Sequence, residues 1–457
     1  MQCLRLAGRR CLGWARPMAA VGVLLSVVVT DAHPPAADGT VEVSTDPADF
    51  LPFRTYAVSG EARRALYEQF YNRGYPRNND VLTELLQARH EKAYLLGYPS
   101  WAAYVTEGKM VESARGVQSF IDDMVERSAV ATQRDLAILL DRKRRDDPDA
   151  TAIEEWDWHY YQHLVQKERF DVDLQRVREY LNFPEVHAGL FSISETLFGI
   201  EIRPVHGLTL WHEDVTAWDI YDEDVLVGRF YMDLFPRAGK YSHTASFSLG
   251  ERGIGYAVPQ AVLVGNFTKP SDNLESSLMD HSEVVTLFHE FGRLLHDVLG
   301  AGQRWRVNDS NRAEWDFLEA PPLVLQQWAS DYESMKIFAR HYATGETIPI
   351  QMVENMRRAR EFGDGVYRMR QLFYAAMSLK FHDTDPALLD PQTEMFDLYD
   401  QYYPFPYVDG AQPHCNFAHL DHYSALYYTF IWSEQIGADL FSEFARNGLF
   451  DRETARR

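Results

Sequence analysis

His289-Glu290-Phe291-Gly292-Arg293-Leu294-Leu295-His296 is the stretch on which the reading of this chain turns. The residues around it predict one helix from Asp280 to Gly300. Asp280 and Glu283 have the spacing of a capping box. Val284, Phe288, Phe291, Leu295 and Val298 recur at three and four, which makes an apolar stripe, and Gly300 is a natural stop. On such a helix residues four apart share a face, so His289 and Arg293 stack one turn apart with Glu290 beside them.

That spacing is one residue away from H-E-x-x-H, in which two imidazoles converge on a zinc ion and the Glu serves its bound water as general base. His289 and Glu290 fit the pattern, and Arg293 occupies the position of the second His. A guanidinium keeps its proton, so it has no lone pair for a metal. It also brings a cation to within about 4 Å of a dication, a repulsion of roughly 8 kcal/mol at an effective dielectric near 20. Structural zinc sites gain only about 10–16 kcal/mol in all. His296 is a poor substitute, because seven residues along a helix separate it from His289 by about 10.5 Å.

The flanking sequence carries a broader pattern. Asn266-Phe267-Thr268-Lys269-Pro270 and Glu283-Val284-Val285-Thr286-Leu287-Phe288 precede the stretch, and Asp316-Phe317-Leu318-Glu319-Ala320-Pro321 follows it. Phe230-Tyr231-Met232-Asp233-Leu234 and Gly239-Lys240-Tyr241-Ser242-His243 lie upstream. Arg370-Gln371-Leu372 and Phe417-Ala418-His419-Leu420, leading to Tyr423, Tyr427, Tyr428 and Trp432, lie downstream. Together, from about Arg63 to Leu440, these segments resemble the thimet oligopeptidase family of zinc metallopeptidases, which includes oligopeptidase A and peptidyl-dipeptidase-like members.

The resemblance implies a mainly α, two-lobed helical metallopeptidase fold with a small β-sheet beside the active-site helix. It implies hydrolysis of short peptides by water activated on one Zn2+. By position, His289 and Glu319 would be metal ligands and Glu290 the general base. His419, Tyr423 and Tyr427 would donate to the oxyanion, Asp316 would orient a ligand imidazole, and the strand around His243 would pair with an extended peptide. Besides Arg293, the chain departs from the family at Pro322-Leu323, where Ser-Gln is usual, and at Gln326, where Glu is usual. Asp421-His422 stand where glycines are usual, and Phe430 where a Tyr is common. The match also leaves out most of the family's N-terminal helical region and its last C-terminal stretch. Two functions remain open: a zinc-dependent metalloendopeptidase, and a non-catalytic relative that binds peptides or is structural, in which Arg293 pairs with Glu319 or Glu290.

The rest of the chain frames this centre. Residues 1–32 place Arg5, Arg9, Arg10 and Arg16 before the apolar run Met18–Val29 and a small-x-small site, Thr30-Asp31-Ala32. This predicts a signal peptide and an exported protein; the alternative is a mitochondrial presequence. The run is too short for a stable membrane anchor. Residues 33–48 read as a flexible leader, and 49–457 as one oligopeptidase-type domain. Within that domain, 59–198 is helical, 199–269 is a small sheet, and 280–457 holds the active-site and C-terminal helices. Val225–Leu234, Tyr241–Leu249 and Gln260–Phe267 are the predicted strands. The net charge of −22 argues against nucleic-acid partners. Of the three cysteines, Cys3 and Cys11 fall in the leader, so Cys415 is left without a disulfide partner. The chain has no G-x-S-x-G segment, which disfavours a serine hydrolase.

Overall fold

The computed structural model describes residues 4–6, 41–45, 47–241, 243–249, 258–270, 277–301 and 313–456. The expected signal segment, 1–32, lies outside the described residues except for Leu4–Leu6, and residues 33–40 of the expected leader lie outside them too. Among the described residues no helix is long and apolar enough to cross a membrane. The chain divides into two compact units, each built from separated segments. One is Met1–Asp171 with Arg360–Tyr428, and the other is Val172–Ala359 with Thr429–Arg457.

The first unit is helical apart from one antiparallel pairing of β1 (Leu4–Leu6) with β2 (Val41–Val43). Its helices include Pro47–Tyr56, Gly60–Tyr71, Arg77–Leu95, Ala114–Lys143, Glu155–Phe170, Asp364–Asp383 and Pro391–Tyr402. Several begin where the sequence supplies a hydroxyl cap: Ser59, Ser100 and Ser113 accept from the amides of Ala62, Ala103 and Gly116. Asp135, fully buried in the Ala114–Lys143 helix, accepts from the amides of Gly363 and Gly365 at 3.1 and 3.2 Å. It thereby caps the start of the Asp364–Asp383 helix with a carboxylate.

The second unit holds a five-stranded sheet: β3 (Ile200–Val205), β4 (Thr216–Asp222), β5 (Val225–Asp233), β6 (Ala245–Leu249) and β7 (Gln260–Val264). The strand order is β3-β4-β5-β7-β6. The β5–β7 pairing is parallel and the others are antiparallel. The second half of the sheet lies where the predicted strands do, with Tyr241–Leu249 shortened to Ala245–Leu249 and Gln260–Phe267 to Gln260–Val264. β3 and β4 fall inside the expected sheet region, 199–269, in the part before Val225 where the sequence delimits no strand. β3 carries Pro204, which an edge strand tolerates. β4 carries Asp219, whose carboxylate is paired with Arg229 of β5 at 2.6 and 3.0 Å.

The predicted central helix spans His281–Ala301 and packs on this sheet. Phe291 meets Phe230 edge-on and Phe191 at a tilt, both with centroids 5.5 Å apart. All three rings are buried. Two glycines set how closely the helix is approached. A Cβ on Gly228 of β5 would stand 1.9 Å from Val298 Cγ1, so only glycine lets the sheet reach the helix there. A Cβ on Gly292 would stand 2.9 Å from Pro322 Cα and 3.1 Å from Leu325 Cβ. The Ala320–Leu325 helix therefore seats directly against the central helix, and Glu319, at its N-cap, is held close to His289.

Candidate functional site

The start of the central helix is fixed as the sequence predicts: the Asp280 amide donates to Glu283 Oε2 at 2.7 Å. Two turns on, His289, Glu290 and Arg293 lie beside Glu319. The His289 Nε2–H donates to Glu319 Oε2 at 3.1 Å, and Arg293 Nη1 donates to Glu319 Oε1 at 2.8 Å. His289 Nδ1 lies 3.1 Å from Gln326 Oε1, which accepts from it when both ring nitrogens are protonated. Glu319 is thus bracketed by an imidazole and a guanidinium, with only 6% of its side chain exposed.

The charges follow from that bracket. Burial works against a protonated His289, but the Glu319 hydrogen bond and the Glu319 and Glu290 charges outweigh it and raise the imidazole above its ordinary value. Burial would raise Glu319, yet the His289 hydrogen bond and the two neighbouring cations hold it below the usual carboxylate range. Glu290 goes the other way: burial raises it, and the His289 and Arg293 charges only partly offset that. Its Oε2 accepts from the backbone amide of Ser246 in β6 at 3.0 Å. The last strand of the sheet among the described residues therefore donates to the residue expected to be the general base.

The donor set does not fit a zinc ion. A zinc site of this class needs three protein ligands with free lone pairs. Here both imidazole nitrogens face acceptors, both Glu319 oxygens accept hydrogen bonds, and the third ligand position holds a cation that pairs with Glu319. Among the described residues no group of three or more His, Cys, Asp or Glu side chains is placed to hold a metal ion. No step through a metal is derived from this arrangement.

The other expected site residues divide between the units. Asp316 is fully buried in the turn before Glu319, and its carbonyl accepts from Ser433 Oγ at 2.8 Å. The acceptor at His289 Nδ1 is Gln326, a residue the sequence marked only as a departure. His243 is exposed just ahead of β6, and its carbonyl accepts from Asn266 Nδ2 at 3.4 Å. All of these belong to the second unit. His419, Tyr423 and Tyr427 come together in the first, where the His419 ring lies 5.6 Å from Tyr423 and 5.1 Å from Tyr427. Tyr427 is buried, and its hydroxyl donates to Gln371 Oε1 at 2.8 Å. Burial pushes that phenol far above its usual range. The Ser246–Glu290 contact was not foreseen, because it depends on strand register.

The profile of "Peptidase family M3" matches residues 53–457. The chain belongs to peptidase family M3. Within M3, it is 30% identical to saccharolysin of Saccharomyces cerevisiae over 426 residues, covering 88% of this chain and 59% of that protein. It is 29% identical to oligopeptidase A of Escherichia coli over 436 residues, covering 91% of this chain and 63% of that one. The chain thus spans about three fifths of the length of these M3 relatives. A solved chain of PZ peptidase A superposes with a TM-score of 0.54 at 12% identity, covering 94% of this chain and 66% of that one, a likeness of fold. The mainly helical M3 fold with its small sheet is the one expected from the sequence.

Proposed function

We propose that this chain uses an oligopeptidase scaffold to bind short peptides without zinc-dependent hydrolysis, the Arg293 guanidinium standing in for the metal's charge. The observation that carries this is the Arg293–Glu319 ion pair at 2.8 Å, which occupies one expected ligand with the residue that replaced another. A guanidinium offsets the site's carboxylates as a cation would, but it offers no open coordination position. Peptide as the ligand class is supported by the name of the Escherichia coli relative, oligopeptidase A. The basic-then-apolar leader supports export.

The competing reading is a zinc oligopeptidase, in which His289, Glu290 and Glu319 keep their expected roles. Two measurements on the purified chain separate them: zinc content by mass spectrometry, and cleavage of a quenched fluorescent peptide with and without chelator. The proposal expects no stoichiometric zinc and no chelator-sensitive cleavage, with saturable binding of the uncleaved peptide. One zinc per chain together with chelator-sensitive turnover overturns it.

A further inference from the structure

Gly239-Lys240, in a motif upstream of the central helix, has no part in the site above, yet the Lys240 ammonium is ringed by oxygens. Its side chain is only 4% exposed. Nζ donates to the carbonyls of Asp233 at 2.8 Å, Phe235 at 2.7 Å and Gly265 at 2.5 Å, and stands 3.0 Å from Asp233 Oδ1. Asp233 ends β5, Phe235 lies just beyond it, and Gly265 follows β7. The Asp233 carbonyl also accepts from the Gly265 amide at 2.8 Å, so both of its lone pairs are used. The Asp233 carboxylate has further partners of its own. Arg237 donates to its two oxygens at 2.6 and 2.8 Å, and Trp211 Nε1 donates to Oδ2 at 2.8 Å.

The local sequence brings these oxygens and the ammonium together. The Lys240 amide donates to the Arg237 carbonyl at 3.2 Å, closing a four-residue turn whose third residue, Gly239, has a φ of 78°. Glycine takes that conformation without strain. The turn returns Lys240 to the end of β5, and from there the chain runs on to β6. Asn266 Nδ2, just past β7, holds this entry by donating to the Tyr241 and His243 carbonyls at 3.0 and 3.4 Å. β6 then presents the Ser246 amide to Glu290 Oε2 at 3.0 Å. The ringed ammonium and the Glu290 contact thus lie at the two ends of one short stretch of chain.

We infer that these oxygens form a monovalent-cation nest, filled by the chain's own Lys240 ammonium, which positions the entry to β6 so that the Ser246 amide meets Glu290. Three carbonyl oxygens aimed at one point repel one another, and once buried they cost free energy unless a cation or donors meet them. The ammonium supplies one positive charge and three N–H donors, which the four oxygens share. A free ammonium ion is the same head group without its stem. Potassium carries the same charge without N–H donors, and backbone carbonyls can replace its hydration shell. Lys240 acts on Glu290 through the chain, as a positioning residue. The inference stands whether the site binds peptides or cleaves them.

The test begins with the unmodified full chain. Reductive methylation under native conditions, read by mass spectrometry, is expected to modify Lys269, whose side chain is 55% exposed, and to spare Lys240. Ready methylation of Lys240 overturns the inference without recourse to any variant. Lys240→Ala is then compared with the unmodified chain in N-methylglucamine, ammonium and potassium chloride at equal ionic strength. Fragment-resolved hydrogen exchange should show the Ser246 amide of Lys240→Ala exchanging about ten-fold or more faster in N-methylglucamine chloride, and slowed again by ammonium or potassium. Recovery with both ions assigns the effect to charge, and recovery with ammonium alone assigns it to the N–H donors as well. The unmodified chain should show no such dependence on the cation. Lys240→Met keeps the stem without the charge, so its Ser246 amide should exchange fast in every salt. An unchanged Ser246 rate in a folded Lys240→Ala or Lys240→Met overturns the inference. So does a faster rate in Lys240→Ala that neither ion slows.

Discussion

At the scale of single residues, the site is governed by Glu319 and by the imidazole and guanidinium that grip it. Arg293→Ala leaves a buried carboxylate with one partner and should cost about 1–3 kcal/mol, read as a lower urea midpoint at unchanged slope. Arg293→His removes the guanidinium and supplies a lone pair at the ligand position. Zinc content after dialysis should rise about ten-fold or more over the unmodified chain. If zinc binds the variant and peptide remains uncleaved, the losses at Gln326 and Phe430 also matter. The pH behaviour of the bracket has a definite direction. His289 is raised, so its stabilising effect is complete below its unfolded value near 6.5 and is lost as pH rises through the folded value. Glu319 is lowered, so its contribution is complete above its unfolded value near 4.3 and is lost as pH falls through the folded one. The pair is strongest between these limits. An NMR titration of the His289 ring should give a midpoint above about 6.5, and Glu319→Gln should bring it down. A midpoint unmoved by that substitution would remove Glu319 as the cause.

At the scale of elements, close packing places the site. Gly292→Ala pushes a methyl into Pro322 and Leu325, which separates the Ala320–Leu325 helix from the central helix and draws Glu319 away from His289. The expected cost is about 1–3 kcal/mol, with the raised His289 midpoint relaxing downward in the same variant. A stable Gly292→Ala with an unchanged midpoint would show that the glycine does not set the geometry. This scale also shows how much could be read beforehand. The central helix was legible to within a residue at each end, because its apolar stripe, acidic start and glycine stop agree. The His289–Glu319 proximity is what the family resemblance implies, and the Arg293–Glu319 pair is one of two pairings that charge allows. The Glu290–Ser246 bond was not legible. It depends on β6 pairing with β7 so that Ser246 lies opposite Leu263, and nothing local in Tyr241–Leu249 specifies that register. Gln326 was visible only as a substitution, since its contact to His289 arises from the turn after a short helix.

At the scale of the whole molecule, buried neutral imidazoles make acid the chain's weak direction. Burial and the Arg89 charge lower His382 to about 3, even though its Nδ1–H donates to the Ser378 carbonyl at 2.8 Å. Burial lowers His414 to about 4. Both bind protons more readily when unfolded, so stability should fall as pH drops from about 6.5 toward 4. The loss is on the order of 1–2 kcal/mol per histidine by pH 5. Urea unfolding at pH 7 and pH 5 checks this, and His382→Gln should flatten the difference. A pH-independent midpoint over that range would contradict it.

The bond between Glu290 and the Ser246 amide also bears on how copies of this chain treat one another. Among the described residues β6 is the last strand of its sheet, and an unpaired strand edge invites a like edge from a neighbouring molecule. A carboxylate already seated on one of that edge's donors makes such pairing electrostatically and sterically unwelcome. Glu290 then has a structural use that needs no metal: seated on the Ser246 amide, it blocks that border of the sheet against a like strand from another copy.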